Sequence, residues 1–285
     1  MLRINRLCLI AMCFLSAIIP SLAQNPNDVY SLSIAPLNYV EPSKSTTVGS
    51  VLGILAEAAS GQTSNNRHPE VVPYIEAVVK TAFSDVRRLA PVDGEGQFSL
   101  TGDVVNVTTW TKSRTTESKD SKGKVVKTVH TDYYASISTS LTLVDNATGQ
   151  TWTQKFTGGG GSYYFKSEAA AIEAALNLMQ GRIVKYYNNL FPLYAQIVER
   201  GSEKKDKMNE VYIDLGSDNG IFKGLHFNVS VVGEAAGRTT EHKIGKIKVE
   251  EVQGPDISLC KVEKGKKEIK EALDNGQTLT ITSID

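Results

Sequence analysis

Apolar and polar residues alternate most cleanly between Tyr133 and Val144. Ala135, Ile137, Leu141 and Leu143 fall on one parity, and Tyr134, Ser136, Ser138, Ser140 and Thr142 on the other. That period predicts a strand with one face against a core. Asp145-Asn146-Ala147-Thr148-Gly149 supplies residues that accept turn conformations, and Trp152, Gln154 and Phe156 carry the chain back. The stretch from Tyr133 to Gly161 therefore predicts a hairpin around which the rest can be placed.

Upstream, Val29 to Val40 predicts a first strand with Pro36 towards its end. Val48 to Ala59 predicts a short packing helix, too short to span a bilayer, and GQTSNNRHPE after it a loop. From Pro73 onwards, Ile75, Val78, Val79, Ala82, Phe83, Val86 and Leu89 recur at three- and four-residue spacing. They predict a sheet-covering helix whose last turn holds Arg87-Arg88, where positive charge suits the helix dipole. Leu89 to Val92 leads to the next predicted strand, Phe98 to Val107. Between Trp110 and Thr131 the pattern gives way to KSRTTESKDSKGKVVKTVH, with six Lys/Arg against Glu117 and Asp120. Interspersed charge of this kind predicts a solvated hairpin tip turning at Ser121-Lys122-Gly123 rather than an anion site.

Beyond the central hairpin, Gly158 to Gly161 predicts a flexible strand exit. Ser167 then caps a predicted helix with Ile172, Ala175, Leu176, Met179, Ile183, Tyr187 and Leu190 on one stripe, stopped by Pro192. Gly181 inside it costs roughly 1 kcal/mol relative to Ala, which suits a backbone lying close against the sheet. From Leu193 the signals become short strands with glycines at their junctions: Tyr194 to Val198, Glu210 to Leu215, the GIFKGLHFNVSVV stretch, Lys243 to Val252, Ile257 to Val262 and Thr278 to Ser283. Gly201 to Asn209 reads as a charged loop near a domain junction, the internal site most open to proteolysis, and Glu268 to Leu273 as a short helical turn. The predicted fold class is α+β: an α/β sandwich with a largely antiparallel sheet over 24–192, then a small β-barrel over 193–285.

The 285 residues carry zero formal net charge, so nothing global recruits nucleic acid. Residues 1–23 read as a secretory signal: Arg3 and Arg6, an apolar core from Leu7 to Ile19, Pro20, and Ser21-Leu22-Ala23 as the cleavage site. Its removal leaves 29 Lys/Arg against 31 Asp/Glu, a net of −2, and a mature chain starting at Gln24. Cys13 follows Met12 inside the apolar core and Cys8 lies too early for a lipobox, so no acylation is expected. No later apolar run approaches the ~20 residues of a transmembrane helix. After cleavage Cys260 is the sole cysteine, on a strand parity that predicts a packed small hydrophobe.

Two resemblances follow from these residues. LVDNATGQ, preceded by a helix, the "LAPVD" return and the strand "SLTGDVV", and followed by the Ala-rich helix, resembles the periplasmic domain of the curli-assembly secretion-channel (CsgG-like) family. The series "FPLYAQIV…VYIDLGSDNGIFKGLHFNV…IGKIKVEEV" is similar to the C-terminal barrel of flagellar T-ring proteins. The resemblance implies an exported bacterial cell-envelope protein. It also implies a pore made by two membrane-inserted hairpins per subunit, from which this sequence departs. Thr157 to Lys166, between Phe156 and the Ser167 helix start, cannot hold two crossing strands of about 9–11 residues each.

No residues compose a catalytic, cofactor-binding or metal signature. His68, His130, His226 and His242 stand outside any HExxH or Cys/His spacing. Asp214 to Gly220 lacks the alternating acids and distal Glu of a calcium loop, and the Gly158 to Gly161 run lacks the Gly-Lys-Ser/Thr of a phosphate loop. No GxSxG elbow gathers a hydrolytic triad, and Asn106, Asn146 and Asn228 head N-x-Ser/Thr triplets of the kind chance supplies. The expectation is a non-enzymatic protein without cofactors, periplasmic or associated with the outer membrane. It would serve as a scaffold or accessory in an envelope assembly and not as a pore, with envelope proteins or further copies of itself as partners. The alternative is a soluble periplasmic binding module for a glycan, peptide or membrane-protein partner.

Overall fold

The computed structural model of the protein describes residues 26–39, 66, 67, 69–235 and 237–285. The predicted signal at 1–23 and the predicted packing helix from Val48 to Ala59 lie outside the described residues, as does His68.

The central hairpin takes the place its parity assigned. Strands β1 (Tyr30–Ile34), β2 (Asn38–Tyr39), β3 (Asn66–Arg67), β4 (Leu89–Pro91), β5 (Phe98–Lys119), β6 (Val125–Asp145) and β7 (Thr151–Gly159) form one sheet. Its order is β4-β1-β5-β6-β7, with β2 and β3 paired along β5. The β5-β6-β7 half is antiparallel as expected, whereas β1 runs parallel to both β4 and β5. A βαβ return explains that direction: helix α1 (Val72–Ser84) intervenes between β1 and β4.

On β5 the buried parity changes. Phe98, Leu100, Gly102 and Val104 face inward, then Val107 and Thr109, because a bulge between Val104 and Asn106 inserts one residue. Across it, Thr139 shares the inward parity of Ile137 and Leu141 and is fully buried, and its hydroxyl donates to the Asp103 carbonyl at 3.0 Å. The polar gap in the β6 pattern thus satisfies a bulge carbonyl.

Helix α1 and helix α2 (Glu168–Leu190) cover one face of the sheet. Ile75, Val79, Ala82 and Phe83 of α1 meet Ala171, Ala175, Met179, Ile183 and Tyr187 of α2 in the first core. Ser167 caps α2, its Oγ accepting from the Ala170 N–H at 3.3 Å. The predicted helix to Leu89 ends early, at Ser84, with Asp85 as C-cap. Val86 and Leu89 are buried as expected but lie beyond the helix, and Arg87-Arg88 therefore do not compensate its dipole.

Tyr187 is fully buried with a hydroxyl that has no partner among the described residues, and burial pushes its phenol well above the ordinary range. Tyr187→Phe removes that cost and keeps the ring contact with Phe83 at 4.7 Å. It is expected to leave the urea midpoint unchanged or to raise stability by about 1–2 kcal/mol.

A second core belongs to a nearly closed barrel-like sheet. Its strands are β8 (Tyr194–Ala195), β9 (Ile197–Arg200), β12 (Glu210–Ile213), β13 (His226–Ala235), β14 (Arg238–Val252), β15 (Ser258–Lys264) and β16 (Leu279–Ile284). They follow the order β8-β16-β13-β14-β15-β12-β9. The two edges, β8 and β9, flank the single residue Gln196, so one chain segment forms both sides of the seam. There the Gln196 N–H donates to Asp214 Oδ1 at 2.6 Å and its carbonyl accepts from the Asp214 N–H at 3.2 Å.

Cys260 lies inside this barrel with no exposed surface, and burial pushes its thiol up to about 12. It is expected to stay unmodified by a thiol-reactive disulfide reagent at neutral pH and to react stoichiometrically once urea unfolds the chain.

The stretch from Gly201 to Asn209 is not the open loop expected. It folds into a small hairpin of β10 (Glu203–Lys204) and β11 (Lys207–Met208), with Lys205 in the left-handed region at φ 56°. Met208 is fully buried, and the hairpin is fastened to helix α3 (Lys266–Asp274) by Lys270 to Glu203 at 2.9 Å and by the Lys267–Asp206 pair. The sequence pattern concealed this because the charges that suggested a loop are the ones that dock it.

Candidate functional site

Between the two cores runs a groove of about 950 Å³. The chain leaving α1 forms one wall, α2 another, and the barrel closes it with Gly220, Phe222 and Asp285. Arg87 crosses this junction and meets Asp285 through both guanidinium nitrogens, Nη1 to Oδ1 at 3.1 Å and Nη2 to Oδ2 at 3.1 Å. The side chains of Arg87 and Asp285 are 7% and 16% exposed, so this is a sheltered bidentate pair rather than a surface one. The Arg87 N–H donates to Asn188 Oδ1 at 3.0 Å, which seats the turn after α1 against α2. Arg87 Nε is buried without a partner among the described residues.

Arg88 faces the opposite way and is 5% exposed. Its guanidinium donates to the Asp28 carbonyl at 3.1 Å, the Pro192 carbonyl at 3.0 Å and the Tyr30 hydroxyl at 3.1 Å, and it lies over the Tyr30 ring. One dipeptide therefore ties the start of β1, the end of α2 and the barrel together. Two adjacent arginines after an amphipathic helix are the one local trace of this in the sequence.

Across the groove Gln180 Nε2 donates to Asp85 Oδ2 at 3.2 Å. Its apolar lining includes Val184 and Phe222, the latter 53% exposed. Among the described residues that line the groove, no nucleophile is paired with a base. Gly181 lines this groove, exposed, with open space where a Cβ would stand, and does not lie against the sheet as expected. Gly181→Ala is accordingly expected to stabilise the chain by about 0.4–1 kcal/mol in urea unfolding, since helix propensity is gained with no clash.

The sequence-singled residues remain dispersed. His130 bonds Thr116 Oγ1 at 2.9 Å, His226 faces Glu263 at 3.3 Å, and His242 is exposed. Among the described residues, no group of three His, Cys, Asp or Glu is placed to hold a metal ion. Asp214 to Gly220 forms a turn around Ser217–Asn219, with the Ser217 and Asp218 N–H groups taken up by the carbonyls of Gly254 and Pro255. Gly158 and Gly159 belong to β7 and are not a loose strand exit.

The second prominent feature is the long β5-β6 ribbon. At its base Trp110 stacks on Tyr134 at 5.6 Å, and Lys112 lies over the Tyr134 ring. Arg114 covers Tyr164 and pairs with Asp132 at 3.3 Å. The predicted solvated tip shrinks to Asp120–Lys124, because the strands themselves run to Lys119 and from Val125.

The fold and site define an α+β protein with a mixed sheet covered by two helices and joined to a barrel-like sheet across a binding-type groove. No family model matches the chain, and no curated protein matches it. Among solved structures it is similar to protein XCC0632 of Xanthomonas campestris, described as a DUF330 protein, at 16% identity and a TM-score of 0.31. That similarity covers 57% of this chain and 84% of that one. It is also similar to a PelC dodecamer of Paraburkholderia phytofirmans, at 9% identity and a TM-score of 0.26, over 54% of this chain and 86% of that one. Likenesses this loose carry no argument about function. No helix among the described residues is long and apolar enough to cross a membrane, which says nothing of crossing by strands.

Proposed function

We propose that this chain is a non-enzymatic protein of the bacterial cell envelope, exported by the signal at 1–23, that acts as a scaffold or accessory in an envelope assembly. We read it as a curli-channel-like domain over 24–192 followed by a T-ring-like barrel over 193–285. The observation that carries the reading is the shape: two cores braced by Arg87 and Arg88, with a ribbon of 22- and 21-residue strands reaching out of the body. Such a body presents contact surfaces at fixed spacing, which suits holding partners rather than enclosing a substrate.

A pore is not part of this reading. Eight residues separate the end of β7 at Gly159 from the start of α2 at Glu168, too few for a second hairpin with crossing strands of about 9–11 residues. Crosslinking and pull-down from native envelopes, with mass photometry of the recovered species, test the proposal. A defined multimer or a reproducible set of envelope proteins supports the scaffold. A single dominant partner would favour the binding module, to which the groove beside Phe222 lends itself. Stepwise currents in planar bilayers would overturn the exclusion of a pore.

A further inference from the structure

Beyond Thr109 on β5 and Tyr133 on β6, the ribbon pairs with no third strand among the described residues. At about 3.4 Å per residue, residues 110–119 carry it roughly 30 Å out. Its far end reads Lys119-Asp-Ser-Lys122-Gly-Lys124-Val125-Val126. Both acidic groups nearby are occupied. Asp120 Oδ1 accepts from the N–H groups of Lys122 and Lys124, each at 2.9 Å, and so shapes the turn, while Glu117 pairs with Lys127 at 2.8 Å.

Lys119, Lys122 and Lys124 form no ion pair among the described residues. Beside them Val125, Val126 and Val129 are 48%, 42% and 67% exposed. Val126 stands on the face opposite to Val125 and Val129, because Val126 is the register partner of Ser118 and Val125 that of Lys119. The tip is thus basic at its end and apolar on both faces, and none of the described residues covers it.

We propose that this tip docks on an anionic lipid bilayer surface, with the lysines on headgroup phosphates and Val125 and Val126 in the interfacial layer. An acidic polysaccharide would attract the lysines but leave Val125 and Val126 in water. Nucleic acid would call for aromatic platforms, and the ribbon's aromatics, Trp110 and Tyr134, lie at its base. A lipid surface takes both kinds of group at once. The ribbon lies on the membrane and does not cross it, since Lys112, Arg114, Glu117 and Lys119 are spread along β5 itself.

The test uses the processed chain, its amino terminus fixed by mass spectrometry, in sedimentation with vesicles of phosphatidylcholine alone or mixed with phosphatidylglycerol. Binding is expected to the mixed vesicles only and to fall as salt rises. Replacing Lys119, Lys122 and Lys124 together by Ala is expected to weaken it on the order of a hundredfold, at about fivefold per lysine. Val125→Asn with Val126→Asn is expected to weaken it several-fold at every salt concentration, whereas Lys204→Ala with Lys205→Ala leaves it unchanged. Circular dichroism verifies that each variant is folded.

Failure of the parent chain to bind, equal binding to neutral vesicles, or unchanged binding by the tip variants would overturn the proposal. So would retention by an immobilised acidic polysaccharide that matches retention by lipid. Envelope pull-down and vesicle binding can succeed or fail separately, so this inference does not stand or fall with the function proposed above.

Discussion

Gly158→Ala is expected to destabilise the protein by about 3 kcal/mol, the upper range for forcing atoms into a packed interior. A Cβ at Gly158 would stand 1.8 Å from the Ala175 carbonyl oxygen and 2.7 Å from its carbon, both backbone atoms of α2. A flexible side chain could step aside, but a helix backbone braced by Ala171, Met179 and Ile183 in the first core cannot. Either β7 separates from α2 or the helix shifts, and both open the core. Gly159 next to it is more constrained still, at φ +76° with a Cβ position 2.0 Å from the Ala135 carbonyl oxygen. Gly161, in the same run, has nothing within 4 Å, and Gly161→Ala is expected to change stability by no more than about 0.5 kcal/mol. Urea unfolding of the two single variants checks the contrast, and equal midpoints would show that β7 does not lie this close to α2.

Arg88→Met is expected to cost about 3 kcal/mol, the other large effect. Methionine keeps the packing length but leaves the Asp28 and Pro192 carbonyls and the Tyr30 hydroxyl without the donor that satisfies all three. Arg88→Lys should recover little, because one ammonium cannot reproduce a planar fork aimed at three groups. Pro192 stands where α2 hands over to the barrel, so the loss falls on the junction rather than on either core. Unfolding followed by near-ultraviolet circular dichroism, dominated by the aromatics of the first core, and by Cys260 labelling in the barrel should separate into two transitions in Arg88→Met. A single unchanged transition would show that the junction does not depend on Arg88.

The strands of the central hairpin and the α2 cap could be read from the sequence because each rests on local periodicity: parity on β6, and Ser167 ahead of an apolar stripe. What escaped the sequence depends on distant partners. The β5 bulge has no residue signature, since Val104, Val105 and Val107 read as unbroken strand, and only the Thr139 hydroxyl across the sheet reveals what the inserted residue needs. The glycine run looked uniform, yet Gly158 and Gly159 are fixed by the backbones of α2 and β6, Gly160 by its positive φ of 126°, and Gly161 alone of the four is unconstrained. The junction was invisible for the same reason. Arg87 finds Asp285 and Arg88 finds Pro192 at sequence distances no periodicity spans. For the ribbon, the count of charges was legible, but the turn geometry that occupies Asp120 and leaves three lysines unpaired was not.

The seam of the barrel has a bearing on the order of events during biogenesis. Ala195 of β8, the first strand of that sheet, pairs with Ile281 of β16, the last. Synthesis delivers the first core complete by Tyr187, but β8 must wait with its edge unsatisfied until β16 emerges. Long-range closure of this kind is slow, and an unpaired edge is exposed to capture by other chains while it waits. The Arg87–Asp285 pair closes over the same interval, so the junction between the cores can lock only after the barrel has shut. Refolding should therefore proceed from the amino-terminal core outward, with the slow, aggregation-prone phase belonging to the barrel.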